Sequence, residues 1–181
     1  SARLTAKAAG VLAKKEEQER YDTLADEIRQ AFYREYYTPS GRLAVDTQTA
    51  YAVVTAFGLV PEDFREQVKK AFFDKMKESA FRLNTGFVGT PYLCPALSDH
   101  GFTEKAYGLL LNEEYPGWLY EVKMGATTVW ERWNSVLPDG SVSGTGMNSL
   151  NHYAYGSIAS FLYRYAAGIN PREDAPGFRK A

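Results

Sequence analysis

A chain of 181 residues and 20.3 kDa has the length of one domain, or of a piece of a larger one. Its 21 Lys plus Arg and 22 Asp plus Glu leave a net charge of −1, so it lacks the basic field that nucleic acid or an anionic membrane surface selects. The single cysteine, Cys94, excludes an intramolecular disulfide framework. Only two histidines, His100 and His152, leave little scope for a histidine-rich metal site.

Hydrophobic residues make up 45% of the chain, enough for a packed core. Thirteen Tyr and three Trp fit a chain that lines a polar, ring-binding groove. No uncharged run approaches the roughly 18 apolar residues of a membrane helix. The first residues carry neither a signal-peptide core nor an initiator Met, so a fragment or a processed product is expected.

Helical periodicity dominates the chain. Residues 2–15 are rich in Ala, Leu and Lys and read as a first helix. Between Glu17 and Tyr36, the residues Tyr21, Leu24, Ala25, Ile28, Ala31 and Phe32 make one apolar stripe. Thr38-Pro39-Ser40-Gly41 breaks that helix. The next runs from Thr47 to Phe57 without a charge, capped by Asp46 or Thr47 and ended by Gly58. Pro61 opens a charged helix to Ala80 with Phe64, Val68, Ala71 and Phe72 as its buried stripe. Residues 85–98 are uncharged again and read as a loop leading into a short buried helix. Residues 102–114 read as another surface helix.

Three alternations of charged and uncharged segments predict two layers of helices, the inner apolar and the outer wet. Beyond Glu114 the pattern fails. Residues 115–125 read as a loop, 126–133 as two helical turns, 134–147 as a loop with a tight turn at Asp139-Gly140, and 148–163 as a last helix closed by Gly168 and Pro171. The expected fold class is all-α.

Two constellations can carry chemistry. In Trp130-Glu131-Arg132-Trp133 a carboxylate lies between two indoles. Apolar rings desolvate a carboxylate, which suits an acid or base, and indole faces stack on sugar rings. The same spacing is met if Glu131 pairs with a cation and both tryptophans are core. In Ser149-Leu150-Asn151-His152-Tyr153-Ala154-Tyr155-Gly156 an imidazole and a phenol three residues apart share a helix face beside a glycine. They either line a pocket, or His152 is a buried imidazole bonded to backbone. Cys94 sits in an apolar run and reads as an inert thiol, Asp99-His100 as a helix end, and Glu113-Glu114 as solvated surface.

Several blocks, in order, resemble the bacterial α-L-rhamnosidases of glycoside hydrolase family 78. They are Thr47-Gln48-Thr49-Ala50-Tyr51-Ala52 with Phe57-Gly58-Leu59-Val60-Pro61, then residues 84–93, 110–120, 125–133 and 149–156. The resemblance covers roughly Asp46 to Gly168. It implies part of an (α/α)6 barrel, about half the toroid, and inverting hydrolysis of terminal α-L-rhamnosides. It places the general base at Glu131 and a sugar-site histidine at His152. Trp130 and Trp133 flank the base, and Trp133 shapes the sugar pocket. Asn134 departs from the aspartate usual after the second tryptophan.

The family's general acid lies in an upstream acidic motif that has no counterpart between Ser1 and Asp46, and about seven of the barrel's twelve helices are counted here. The expectation is therefore the C-terminal half of a catalytic domain over residues 1–170, with 171–181 as a tail leading out of the barrel. Such a half is expected to be inactive alone and to self-associate through exposed inner-helix surface. Rhamnose-containing glycosides are the implied partners, with no nucleic acid, membrane, metal or cofactor. The compartment, cytoplasmic or secreted, stays open. Another (α/α)6 sugar-active enzyme, or a non-catalytic helical carbohydrate-binding module, is the alternative reading.

Overall fold

A computed structural model describes residues 1–144, 146–172 and 177. Among them the secondary structure is helical, and Tyr37 with Leu43 and Val136 with Val142 form isolated antiparallel bridges rather than strands. The chain divides into two compact units. One is Ser1–Val45 with Leu59–Val68; the other is Asp46–Gly58 with the chain from Lys69 onward.

In the first unit, α1 (Ala2–Val11) and α2 (Lys15–Tyr36) form a hairpin. The turn passes through Ala13 at φ +57°, so α1 ends earlier than its composition predicts. Arg3 reaches Asp22 at 2.9 Å and Asp26 at 2.5 Å across the hairpin. Ala6 and Ala9 are buried, whereas α2 has no buried side chain. Tyr37 anchors the end of α2: its hydroxyl donates to the Leu59 carbonyl at 3.0 Å and its ring lies 6.1 Å from that of Phe64. Gly41 has φ +80°, and a Cβ there would lie 2.6 Å from the Phe64 ring, so only glycine fits both the turn and the space.

The second unit carries the core. Helix α3 (Gln48–Ala56) starts at Thr47, whose hydroxyl accepts the Ala50 N–H at 3.1 Å, and Gly58 at φ +62° follows its end. Helix α4 (Arg65–Glu78) follows a single 3-10 turn at Glu62–Phe64 and brings Phe72 and Met76 into the second unit, both fully buried. Helix α5 (Thr90–Asp99) buries Thr90, Leu93, Cys94, Ala96 and Leu97. It packs on α3, on α6 (Thr103–Leu110) and on the turns around α8 (Ile158–Phe161). The uncharged helices supply the centre, and α4 and α6 each bury one face, as the alternation predicts. Cys94 is fully buried, and desolvation pushes its thiol up to about 12, consistent with an inert core position.

Three expected elements differ. Residues 115–125 contain helix α7 (Trp118–Lys123), bracketed by Gly117 before it and by Gly125 at φ +85° after it. Residues 126–133 are not helical: Thr127, Thr128 and Val129 are β-branched, and the chain bends at residues 127–128. The last helical run begins only at Ala154, as a 3-10 turn (Ala154–Ser157), then α8, then a π turn (Leu162–Ala166). Backbone groups of Ser149, Leu150 and His152 are already bonded to residues 128–131, so no helix can start there. The predicted tail at 171–181 lies outside the described residues apart from Pro171, Arg172 and Gly177.

Candidate active site

The site is built on two non-helical segments, residues 128–131 and 149–152, joined by hydrogen bonds like a short ribbon. The Glu131 N–H donates to the Ser149 carbonyl at 2.9 Å, and the His152 N–H donates to the Val129 carbonyl at 2.8 Å. The Thr128 hydroxyl donates to the Leu150 carbonyl. The Glu131 side chain then folds back, and its Oε2 accepts the Ser149 N–H at 2.7 Å. Glu131 is thus held by backbone and side chain at once, which fixes its carboxylate against the facing segment.

A cleft of about 240 Å³ opens beside it, lined by Gly86, Phe87, Glu131, Arg132, Met147 and Tyr155. The His152 ring stacks on Phe87 with centroids 4.7 Å apart and planes within 13°. Its Nδ1 accepts the Ala154 N–H at 3.3 Å, an arrangement in which the neutral ring carries its proton on Nε2 as a donor. Of the two candidates three residues apart, Tyr155 lines the cleft and His152 stands against Phe87 beside it.

The two tryptophans are packed inside. Trp130 is 3% exposed and Trp133 7%. The Trp133 indole lies flat against Tyr155, centroids 3.8 Å apart and planes 8° apart, and meets Trp118 edge-on at 5.2 Å. Trp118 Nε1 in turn donates to the Tyr155 carbonyl at 2.9 Å. The cleft-facing rings are therefore Phe87 and Tyr155, with Trp133 behind Tyr155 as its backing. Arg132 donates to the Gly146 carbonyl at 3.2 Å, and Ser135, fully buried, closes the turn below through its hydroxyl and the Arg132 peptide.

Two groups escape the sequence reading. Glu121, on α7, is 4% exposed. Its Oε2 accepts the Trp130 N–H at 3.4 Å, and its buried Oε1 has no hydrogen-bond partner among the described residues. Desolvation pushes this carboxyl up to about 7, with the Trp130 N–H pulling weakly the other way. Its position three residues after the buried Trp118, on the same helix face, is the signal that marks it. Gln48 is the second. It is 2% exposed and spends its amide on Ser79 Oγ, the Arg82 carbonyl and the Asn84 N–H at 2.7–2.9 Å. It thereby ties α3 to the segment that delivers Gly86 and Phe87.

The weaker candidates have structural partners. His100 Nε2 and Thr55 Oγ1 are 2.9 Å apart, Asp99 accepts the Tyr165 hydroxyl at 2.8 Å, and Glu113 reaches Lys123 at 3.4 Å on the surface. No group of three or more His, Cys, Asp or Glu poised to hold a metal occurs among the described residues, and no helix there is long and apolar enough to cross a membrane.

The chain is thus a set of helices that presents one clamped carboxylate beside aromatic faces. Residues 1–166 match the family described as the bacterial alpha-L-rhamnosidase 6 hairpin glycosidase domain, and the chain belongs to that family. An alpha-L-rhamnosidase of Formosa agariphila is 43% identical over 173 residues, which are 94% of this chain and 19% of that protein. One of Streptomyces avermitilis is 42% identical over 83% of this chain and 15% of its own length. The crystal structure of the Streptomyces avermitilis enzyme complexed with L-rhamnose superimposes with a TM-score of 0.87 at 40% identity, over 94% of this chain and 16% of that one. That of the native Aspergillus terreus enzyme gives 0.92 at 35% identity, over 98% and 20%. The chain thus spans no more than about a fifth of the relatives it matches.

Proposed function

We propose that this domain works inside a longer α-L-rhamnosidase and carries the general-base side of its active site. Residues 1–170 are read as the C-terminal half of the catalytic barrel. Glu131 takes a proton from the water that attacks the anomeric carbon, and the glycosidic bond to the leaving oxygen breaks with inversion. A second carboxyl, about 6.5–9.5 Å away in inverting enzymes, protonates that oxygen. We place it in the remainder of the longer protein.

The His152 Nε2–H suits a sugar hydroxyl, and the faces of Phe87 and Tyr155 suit the apolar side of a deoxy-sugar ring. Trp133 contributes by backing Tyr155, and Trp130 by anchoring the peptide that bears the base. Rhamnose-containing glycosides are the substrates that fit the family and these groups. The observation that carries the reading is the Glu131 carboxylate held at the cleft by the Ser149 N–H.

Release of nitrophenol from an aryl α-L-rhamnoside tests it. In the full-length enzyme, Glu131→Gln is expected to lower kcat by roughly 10²–10⁴-fold, the range for losing a general base. The chain of residues 1–181 alone is expected to show no turnover. A Glu131→Gln enzyme with normal kcat would show that the base lies elsewhere.

A further inference from the structure

Across residues 129–131 the backbone groups bond to two different sides. The Val129 carbonyl and the Glu131 N–H face the 149–152 segment and are bonded there. The Trp130 N–H faces the other way, into a part of the core where Trp130 is 3% exposed. Its acceptor is Glu121 Oε2. A buried N–H without an acceptor costs as much as a lost hydrogen bond or more, so this contact decides whether the segment lies where it does. Glu121 does not line the cleft, and its hydrogen bond to the segment bearing Glu131 is through the Trp130 N–H.

We propose that Glu121 is a positioning residue for Glu131: by accepting the Trp130 N–H, it fixes from behind the Val129–Trp130 peptide, one residue before the base. This rests on the reading of Glu131 as the base. A carboxyl there costs burial, and its Oε1 gains no partner among the described residues in return. Packing alone would be served better by leucine or methionine, so the acceptor is what the position supplies. The 3.4 Å separation is long for a hydrogen bond.

The test uses the full-length enzyme with Glu121→Leu, Glu121→Met and Glu121→Gln, assayed for kcat and KM on an aryl α-L-rhamnoside, with rhamnose affinity measured by calorimetry. Leucine and methionine keep the bulk and lose the acceptor; glutamine keeps an acceptor. The two apolar variants are expected to lose about 10- to 100-fold in kcat, the scale of a small misplacement of a catalytic group, while KM and rhamnose affinity stay within about threefold. Glu121→Gln is expected to restore kcat to within about threefold of wild type. Wild-type kcat in both apolar variants would overturn the proposal. So would a Gln variant as slow as the Leu variant, or a loss of rhamnose affinity that tracks the loss of kcat. Glu131→Gln in the same assay keeps the two readings apart: if it retains activity, the base assignment fails whatever Glu121 does.

Discussion

At Glu121 the folded chain keeps a carboxyl out of water, raised from an ordinary 4.5 to about 7, with desolvation as the main cause. Between those two values the folded state binds more protons than the unfolded state. Stability is therefore fully present below about 4.5, falls as pH rises through about 7 and levels off above it. Glu121→Gln removes the charge that has to be buried. It is expected to stabilise the protein at pH 8 by on the order of 2 kcal/mol, with the difference shrinking toward zero by pH 4. Thermal melts of the two proteins from pH 4 to 8 check this, and parallel curves would show that the carboxyl is hydrated. Glu131 and His152 stand out as candidates in the sequence because each stands in a compact motif. Glu121 and Gln48 are not, because a buried polar residue is identified by the backbone groups it meets. Those lie nine residues away at Trp130 for Glu121, and 34 and 36 residues away for Gln48.

At the scale of elements, close approach and turn geometry limit what the chain tolerates. A Cβ at Gly89 would lie 2.3 Å from Thr49 Oγ1 and 3.0 Å from Thr85 Cγ2, so α5 starts against α3 with no room for a methyl group. Gly89→Ala is expected to cost about 1–3 kcal/mol by overpacking, read from urea unfolding. Past the end of α4, Ala80 and Phe81 both take left-handed backbone, at φ +52° and +54°. Ala80→Gly is expected to raise stability by about 1 kcal/mol, because glycine adopts that conformation without the Cβ penalty. A lower denaturation midpoint would mean that chain entropy outweighs the strain.

Helices α2 to α6 are legible because each repeats its apolar residues at helical spacing over two turns or more. Segments 115–133 and 148–153 are not. Helix α7 has six residues, too few to show a period, and the polar run Asn148-Ser149-Leu150-Asn151 has its backbone claimed by a partner about twenty residues upstream.

For the whole molecule, burial is uneven. Phe72, Phe161, Met76, Leu93, Leu97 and Leu109 are less than 2% exposed, whereas Leu24 and Ile28 on α2 are 39% and 53% exposed. Apolar surface left open in this way favours association, and the isolated chain is expected to form dimers or larger species at micromolar concentration. Light scattering on residues 1–181 decides it: a monodisperse monomer up to about 100 μM would show that the stripe is tolerated in water.

The ribbon that joins residues 128–131 to 149–152 closes a loop, and that loop has an entropy of its own. Its outer part, Val136 to Val142, is a small hairpin turning at Asp139-Gly140, with Asp139 accepting from both the backbone and the hydroxyl of Ser141. Closure cost grows only with the logarithm of length, about 0.6 kcal/mol for each doubling. The tip of this hairpin can therefore gain or lose residues while the ribbon holds Glu131 and His152 in place. Length at residues 137–141 is a free variable of the loop, which can change without disturbing the groups that line the cleft.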